Sequence, residues 1–444
     1  MAEILHIRST DGSFFRPGEV DPASSGGDAL TLTGARAQTV RGFGACFNEL
    51  GWRALNTLSD IDRTAVLDEL FSPQGGCLNY GRVPIGANDF SLDWYSCDEE
   101  RDDLDLRHFS VERDRQGAIP FVREACRRQS GFSLFASPWS PPTWMKTAPV
   151  YNFGRIRMEP QILSAYARYL LRFVREYARE GIRVSQIHVQ NEPVSDQKFP
   201  SCVWSGEQLR VFIRDYLGPA LAESGLDTEL WLGTLNGPFS DIPIGPDAPY
   251  AEFFDRMANS VLADPQARRY ISGVGLQWGG KHLLPQIAAA YPEMRLMQTE
   301  SECGDGLNTW QQAEYIFGQL WLYLTYGAEG YTYWNIALAE DGLSSWGWRQ
   351  NSLVVVDEKK GTYRFTPEFY VMKHFFAFVR EGAVRLAAKG PFAANAVAFE
   401  NPDGSVAVIG QNGMDRERRM TFTGAGRSFS AVLEPRSIHS FLIR

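Results

Sequence analysis

The sequence predicts an α/β protein whose central part is a parallel (β/α)8 barrel. Between about residues 44 and 380, short apolar runs alternate with amphipathic helical stretches, which is the pattern of repeated strand–helix units. Two of the runs end in a glutamate, Glu192 and Glu300, and these lie 108 positions apart. Because eight units take about 250 residues, three units fit between the two glutamates, which places them on strands four and seven.

The predicted barrel strands are short apolar runs bounded by glycine, proline or polar residues. In chain order they cover 44–47, 78–84, 132–137, 187–189, 230–234, 274–278, 291–300 and 330–335. Gly42 and Gly44 mark the first strand as a place where backbones pack closely. Pro193 ends the fourth run and, because a residue before proline avoids the right-handed helical region, it biases Glu192 toward an extended backbone.

The clearest helix is predicted over 160–180, where large apolar residues recur on one face and Gly181 ends the pattern. Further helices are predicted over 60–71, 310–326 and 367–380. Asp60 is the expected N-terminal cap of the first of these.

Both ends of the chain have the pattern of β-structure. Strand-like segments are found at 3–9, 29–34, 396–400, 405–409 and 418–443. The sequence Asn401-Pro402-Asp403-Gly404 between two of them is a hairpin turn signal. After about residue 383 the helical period disappears, so the barrel is expected to end near that point.

The composition excludes several classes of protein. With 44% hydrophobic and 22% charged residues, the chain is an ordinary globular protein. A net charge of −9 and a pI near 5.4 argue against nucleic acid as a partner. No stretch approaches the roughly 18 apolar residues of a membrane span. The six cysteines and six histidines are scattered without the spacing of a metal site, so we expect no metal.

The expected location is the cytoplasm. Residues 1–6 lack the basic and apolar segments of a signal peptide, and free thiols suit a reducing compartment. If a signal peptide has been removed, secretion is expected instead.

Glu192 and Glu300 are the candidate catalytic residues. In a parallel barrel the C-terminal ends of the strands carry the chemistry, so both carboxylates are expected at one mouth. Paired carboxylates at such a site suit glycoside hydrolysis, in which one is the acid and the other the nucleophile or base. The alternative is that both are structural carboxylates that cap helices or form salt bridges.

Several segments, in order along nearly the whole chain, resemble the motifs of glycoside hydrolase family 30, which includes glucosylceramidases. They are 42–49 (GFGACFNE), 82–91 (RVPIGANDFS), 136–146 (ASPWSPPTWMK), 191–193 (NEP), 299–300 (TE) and 333–335 (YWN). The resemblance implies a (β/α)8 barrel with a small all-β sandwich that the two chain ends form together. The implied division is 1–36 for the N-terminal strands of the sandwich, 37–381 for the catalytic barrel and 382–444 for the C-terminal strands.

The resemblance also implies the chemistry. Glu300 would be the nucleophile and Glu192 the acid/base of a retaining double displacement, without a cofactor and with a carbohydrate as substrate. Asn191 would donate a hydrogen bond to the sugar 2-hydroxyl, and its alternative role is to cap a turn. Asp89 would accept hydrogen bonds from hydroxyls of the non-reducing sugar, or belong to a turn.

Five further residues are candidates for substrate binding. Trp139 and Trp334 would offer ring faces to the sugar, or fill the core. Arg82 would orient the nucleophile through charge-assisted hydrogen bonds, or form a structural ion pair under the barrel mouth. Gln277 and Trp278 fall at the end of strand six, where relatives often carry other residues.

The implied activity is hydrolysis of β-glucosides, as performed by a β-glucosidase, a β-1,6-glucanase or a glucosylceramidase. The alternative within the family is a β-xylosidase, a xylanase or a 6-deoxyhexosidase. An alternative of another class is a non-catalytic carbohydrate-binding protein, against which the presence of both Glu192 and Glu300 counts.

Overall fold

Eight parallel strands close into a barrel in the computed structural model, which describes residues 4–22, 26–237 and 253–444. In chain order the described strands are β1 (Ile4–Thr10), β2 (Ser13–Pro17), β3 (Asp28–Thr39), β4 (Gly42–Cys46), β5 (Tyr80–Ile85), β6 (Ser133–Pro138), β7 (Val184–His188), β8 (Glu229–Leu235), β9 (Ile271–Gln277), β10 (Arg295–Glu300), β11 (Ala328–Asn335), β12 (Ala337–Ala339), β13 (Val354–Asp357), β14 (Thr362–Phe365), β15 (Val384–Lys389), β16 (Ala396–Glu400), β17 (Val406–Asn412), β18 (Arg418–Gly424), β19 (Arg427–Leu433) and β20 (Ser437–Ile443). Strands β4 to β11 form the barrel in sequence order, and β11 pairs with β4 to close it. The predicted fold class is confirmed.

Helices surround the barrel and connect its strands. The described α-helices are Glu49–Leu55, Asp60–Phe71, Ala118–Arg128, Pro160–Arg179, Gly206–Phe212, Gly218–Glu223, Ser260–Leu262, Pro265–Arg268, Leu284–Ala290, Trp310–Thr325 and Pro367–Phe376. Short 3-10 or π-helical turns occupy Asp114–Gln116, Thr143–Met145, Ile213–Leu217, Phe254–Asn259, Trp278–Leu283 and Ala393–Asn395. Among the helices within these described ranges, none is long and apolar enough to cross a membrane.

The start of the helix Asp60–Phe71 differs from the prediction. Ser59 is the N-cap, because its side-chain oxygen accepts a hydrogen bond of 3.1 Å from the backbone N–H of Asp62. Asp60 lies one position later, in the first turn, where its negative charge still interacts favourably with the helix dipole.

Glycine on β4 permits the close packing that the sequence predicted. A Cβ on Gly44 would lie 1.8 Å from the backbone oxygen of Tyr80 on β5, so a larger residue would push these two strands apart. A Cβ on Gly42 would lie 2.2 Å from Oδ1 of Asn79, which accepts a hydrogen bond of 3.1 Å from the backbone N–H of Phe43.

The two ends of the chain meet in one β-sandwich, as the resemblance implied. Its strands pair in the order β19-β18-β3-β15-β16-β17-β20-β1-β2, so strands from the N-terminus are interleaved with strands from the C-terminus. Asp21, which follows β2, pairs with Ser430 on the edge strand β19 through backbone hydrogen bonds of 2.8 and 3.0 Å. The interior is filled by buried apolar side chains that include Leu30, Phe392, Met420, Phe422, Phe429 and Phe441. Residue 3, which the predicted first strand included, lies outside the described residues.

Candidate active site

Glu192 and Glu300 line one cavity at the C-terminal ends of the barrel strands. The cavity has a volume of about 100 Å³ and is partly open to solvent. Its described lining consists of acidic, amide, thiol and aromatic side chains, namely Asp89, Trp139, Glu192, Gln197, Phe199, Asn236, Trp278, Glu300, Cys303, Trp334, Trp348 and Gln350. Six of the nine expected site residues are among them. The other three, Arg82, Asn191 and Gln277, are buried beside the cavity.

Arg82 on β5 connects the residues of the site. Its side chain is fully buried, and its guanidinium forms an ion pair with Oε2 of Glu300. It also donates hydrogen bonds to Oγ of Ser137 at 2.9 Å and to Oδ1 of Asn191 at 2.6 Å. A planar guanidinium has donors in a fixed arrangement and can hold a carboxylate and an amide at the same time. Arg82 therefore sets the position of Glu300 relative to Asn191.

Trp139 and Trp334 enclose this arginine. The guanidinium carbon of Arg82 lies 4.3 Å from the ring centroid of Trp139 and 5.6 Å from that of Trp334. The two ring centroids are 5.6 Å apart, with an interplanar angle of 28°. Aromatic faces stabilise a cation that has been removed from water. Because both rings also line the cavity, the structural role and the sugar-facing role are compatible.

The neighbours of Asn191 determine the orientation of its side-chain amide. Its Oδ1 accepts hydrogen bonds from Arg82 at 2.6 Å, from Oγ1 of Thr234 at 3.0 Å and from Nε2 of Gln277 at 2.7 Å. Arginine has only donors, so the atom that faces it must be the amide oxygen. The NH2 group of Asn191 is therefore directed away from Arg82. Gln277 does not line the cavity, because its amide is fully buried and donates to Asn191.

The backbone at Glu192 is not extended. Its φ is +45°, in the left-handed region, although the following Pro193 favours an extended conformation. Hydrogen bonds to a neighbouring strand override that local preference: the N–H of Gln190 donates to the oxygen of Gly233 at 2.8 Å, and the N–H of Glu192 donates to the oxygen of Thr234 at 3.0 Å. The expectation for Glu192 was wrong because its hydrogen-bond partners on β8 are more than 40 residues away.

Neutral side chains contact the carboxyl group of Glu192. Nδ2 of Asn236 donates to Oε1 of Glu192 at 2.9 Å, and the side chain of Ser195 is also hydrogen bonded to this carboxyl. Burial raises the pKa of Glu192, and these two hydrogen bonds oppose that rise.

The pKa values of the other two carboxyl groups of the cavity are also raised. Burial raises the pKa of Glu300 to about 8, against the opposing effect of Arg82 and with the help of the negative charges on Glu192 and Asp89. Burial likewise raises the pKa of Asp89 to about 7. Negative charge on Glu192 raises the pKa values of both Glu300 and Asp89, so the ionisation of these buried carboxyls is coupled. Arg82 bonds Glu300 directly and so opposes the rise in its pKa, whereas the hydrogen bonds to the Glu192 side chain come from neutral groups.

Sequence reasoning missed three amides in the cavity, those of Gln197, Asn236 and Gln350. Gln350, on the loop before β13, accepts hydrogen bonds at Oε1 from Trp334 at 2.8 Å and from Asn335 at 3.2 Å, and its side chain is hydrogen bonded to Asp89. Nothing in the local sequence marks this glutamine. Asn236 directly follows β8, so the strand-end rule that selected Glu192 and Glu300 would have selected it as well.

Aromatic side chains surround the outer part of the cavity. Trp278 lines it together with Phe199 and Trp348, and Trp348 remains 44% exposed. Nζ of Lys281 lies 5.7 Å from the ring centroid of Trp278. Flat apolar faces at the mouth can stack on sugar rings or on an apolar leaving group. In the parts of the chain that the structure describes, no group of three or more His, Cys, Asp or Glu side chains is arranged to hold a metal ion.

Comparison with known proteins gives consistent matches over nearly the whole chain. A family model described as the glycosyl hydrolase family 30 TIM-barrel domain matches residues 40–379, and one described as the glycosyl hydrolase family 30 beta sandwich domain matches residues 382–441. The lysosomal acid glucosylceramidase of Mus musculus is 30% identical, with 95% of this chain and 85% of the relative aligned. The endo-1,6-β-D-glucanase of Neurospora crassa is 27% identical, with 92% and 86% aligned. The crystal structure of SrfJ from Salmonella typhimurium is 26% identical and covers 100% of both chains with a TM-score of 0.87.

Proposed function

Because this chain belongs to glycosyl hydrolase family 30 and is a retaining β-glycosidase, we propose that Glu300 is its nucleophile and Glu192 its acid/base. The observation that carries this assignment is the direct contact of Arg82 with Glu300, while the hydrogen bonds to the Glu192 side chain come from neutral groups. A nucleophilic carboxylate must be ionised, and a general acid must hold its proton near the working pH.

The reaction proceeds in two displacements. In the first, the Glu300 carboxylate attacks the anomeric carbon, the glycosidic bond breaks, and the proton of Glu192 moves to the leaving oxygen, which departs as an alcohol. In the second, the Glu192 carboxylate takes a proton from water, the water oxygen attacks the anomeric carbon, and the Glu300 carboxylate departs. Formation of the ester removes the negative charge of Glu300, so Glu192 then remains ionised and can act as base.

Two groups of residues bind the sugar in this proposal. The NH2 group of Asn191 donates to the 2-hydroxyl, a contact that strengthens in the transition state. Asp89 and Gln350 bind a hydroxyl elsewhere on the same sugar, since a hydroxyl can donate to a carboxylate and accept from an amide. Trp139 and Trp334 bound the apolar side of the site. Trp278 contacts the leaving group, while Gln277 acts indirectly by orienting Asn191.

The proposed substrates are β-glucosides, including a β-1,6-glucan or a glucosylceramide-like glucolipid. The sequence similarity to the glucosylceramidase and the endo-1,6-glucanase supports this class. The second candidate is a β-xyloside or a 6-deoxy sugar. Among the described lining residues of the cavity there is no lysine or arginine, so an acidic side group of xylan would find no charged partner there.

The test is NMR identification of the first anomer released from a panel of β-glucosides, β-xylosides and β-1,6-glucan. We expect a β-anomer to appear first from a β-glucoside or β-1,6-glucan. The control is Glu300→Gln, which should lower kcat by roughly 10⁴-fold or more while the sugar still binds. An α-anomer as first product contradicts the nucleophile assignment. Sugar binding without any release favours the non-catalytic carbohydrate-binding alternative.

The domain limits and the location are also proposals. The division into 1–36, 37–381 and 382–444 is supported by the ranges of the two family models. A cytoplasmic location is supported by the six free cysteines of the chain.

A further inference from the structure

The amide of Asn236 can take only one orientation. Its Oδ1 accepts a hydrogen bond of 2.8 Å from the backbone N–H of Gly279, and its Nδ2 donates to Oε1 of Glu192 at 2.9 Å. A backbone N–H is only a donor, so reversing the amide would place two donors against each other. Gly279 allows this approach, because a Cβ there would lie 2.4 Å from Oδ1 of Asn236. Asn236 is 1% exposed and still lines the catalytic cavity.

We propose that Asn236 is a positioning residue that determines which oxygen of Glu192 carries the transferable proton. This inference rests on the proposed role of Glu192 as acid/base. A hydrogen on Oε1 would face the N–H of Asn236, and two hydrogens cannot occupy that contact. The proton of the acid therefore sits on Oε2, and Oε1 acts as the carbonyl oxygen that accepts from Asn236. The Ser195 hydroxyl, the other side-chain partner of Glu192, can donate or accept and does not by itself select an oxygen.

The same contact also assists departure of the leaving group. When the proton passes from Oε2 to the leaving oxygen, Glu192 becomes a carboxylate, and the N–H···Oε1 bond becomes a charge-assisted bond. The contact is thus stronger after proton transfer than before it, which lowers the barrier for that step. In the second displacement Oε2 takes up the proton of the attacking water, and the original state returns.

The charged groups that face Glu192 do not replace this contact. Arg82 on β5, Asp89 on the loop after β5 and Glu300 on β10 are the charged groups that interact with Glu192 through space. Among the described contacts, none of these three residues forms a direct side-chain hydrogen bond with one oxygen of Glu192 and so distinguishes it from the other.

The test compares the pH profiles of kcat/KM for the intact enzyme, Asn236→Ala and Asn236→Asp with two substrates. One is 2,4-dinitrophenyl β-glucoside, whose leaving group departs without a proton, and the other is methyl β-glucoside, whose leaving group needs one. For Asn236→Ala we expect a loss of about 10²-fold on the methyl glucoside and of less than about 3-fold on the dinitrophenyl glucoside. Because the contact favours ionised Glu192, its loss should move the basic limb of the methyl glucoside profile to higher pH.

Asn236→Asp provides the sharper variant. Aspartate can still accept from Gly279, but it presents an oxygen instead of an N–H to Oε1 of Glu192, so the basic limb should move further upward than in Asn236→Ala. Gly279→Ala, which displaces the amide without altering it, should give the same direction of change. An unmoved basic limb, or equal losses on both substrates, would show that Asn236 has only a structural role.

Failure of the inference can be distinguished from failure of the proposed function. Glu192→Gln should lose far more activity on the methyl glucoside than on the dinitrophenyl glucoside. If Glu192→Gln loses both equally, Glu192 is not the acid, and the proposed function itself fails. If Glu192→Gln shows the difference and Asn236→Ala does not, only the role of Asn236 is refuted.

Discussion

At the scale of single residues, the charge state of the site depends on Arg82. Its guanidinium contacts Glu300 and Asn191, and two tryptophans exclude water around it. An interaction with a buried carboxylate is stronger in such surroundings than at an exposed surface. The arginine therefore favours the ionised form of Glu300, the proposed nucleophile, whereas burial disfavours it.

Replacing Arg82 should change the pH dependence of activity in a defined direction. In Arg82→Met the pKa of Glu300 rises further, because the lowering effect of the guanidinium is lost. In the proposed mechanism Glu300 must be ionised to attack, so the acid limb of kcat/KM should move to higher pH, and kcat should fall by roughly 10²-fold or more. The measurement is a pH profile on an activated glucoside.

Arg82→Lys is the matched control. Lysine keeps the positive charge but cannot make the same set of hydrogen bonds. The acid limb of its kcat/KM profile should move less than that of Arg82→Met. The hydrogen bond from residue 82 to Asn191 is still lost, so KM should still rise. Equal displacement in both variants would contradict a role for the charge.

Glu192 illustrates how tertiary contacts override a local preference. The proline that follows it favours an extended backbone, yet two hydrogen bonds between this segment and β8 hold φ at +45°. A left-handed non-glycine residue costs of the order of 1 kcal/mol, and such outliers are frequent at functional sites.

At the scale of elements, the ends of the barrel strands carry the candidate site. The side chains of Glu300, Asn236 and Trp334 are each at or next to the end of a strand. The cavity therefore depends on the register between neighbouring strands. Gly44 determines how closely β4 and β5 approach each other, because any side chain there would meet the backbone of β5.

A substitution on β4 should test this dependence. Gly44→Ala should lower the free energy of unfolding by roughly 1–3 kcal/mol, because its Cβ would overlap the backbone oxygen of Tyr80 and β5 cannot yield without moving Arg82. The measurement is denaturant-induced unfolding, combined with kcat/KM on an activated glucoside. Activity should fall as well, because Arg82 lies on the displaced strand.

Gly318→Ala is the matched control for this experiment. Gly318 lies within the helix Trp310–Thr325, is exposed, and has no atom within 4 Å of its added Cβ. Alanine should stabilise the helix by about 0.5–1 kcal/mol and leave activity unchanged. A loss of stability in this variant would contradict the explanation of Gly44→Ala by its overlap with β5, because it would show that an added methyl group destabilises the protein even where it meets no atom.

At the scale of the whole molecule, buried histidines lie where the sandwich meets the barrel. His6 on β1 is hydrogen bonded to His439 on β20 at 3.0 Å. His374, on the barrel helix Pro367–Phe376, is hydrogen bonded to Ser9 at 2.8 Å and to Ser440 at 2.7 Å. All three histidines are at least nine-tenths buried. Burial lowers the pKa of His6 to about 4 and that of His374 to about 3.

These lowered pKa values make the interface sensitive to acid. An unfolded chain protonates histidine near pH 6.5, whereas the folded chain keeps His374 neutral to about pH 3. Between these values the unfolded state binds more protons, so the contribution of His374 to stability is complete above pH 6.5 and is lost as the pH falls. His374→Gln should therefore be less stable than the intact protein at pH 7, and the difference should shrink between pH 6.5 and 4.

Unfolding at several pH values in this range measures the difference. Phe15→Leu is the control, because the Phe15 ring lies 5.4 Å from that of His374 and its replacement weakens the same interface without removing a titratable group. The stability difference caused by Phe15→Leu should not vary with pH. A constant difference for His374→Gln would contradict the linkage.

Most of the architecture could be predicted because it depends on patterns that are local in the chain. The period of apolar residues identified each barrel strand and the helix Pro160–Arg179, and strand-end carboxylates identified the cavity. The cap of the helix Asp60–Phe71 was misplaced by one residue, since serine and aspartate are both good caps and adjacent here. That the two β-like ends form one sandwich came from the resemblance and not from the pattern.

The sequence by itself determined the strand–helix order, the family motifs, and the placement of Glu192 and Glu300 at strand ends. Only the tertiary structure decided how the site is connected: that Arg82 contacts Glu300, that Gln277 supports Asn191 from outside the cavity, and that Asn236 faces Glu192. The physical reason is that hydrogen bonds of buried side chains join residues that are far apart in the chain. Barrel closure and strand register determine which of these side chains meet, and no local pattern of residues predicts either of them.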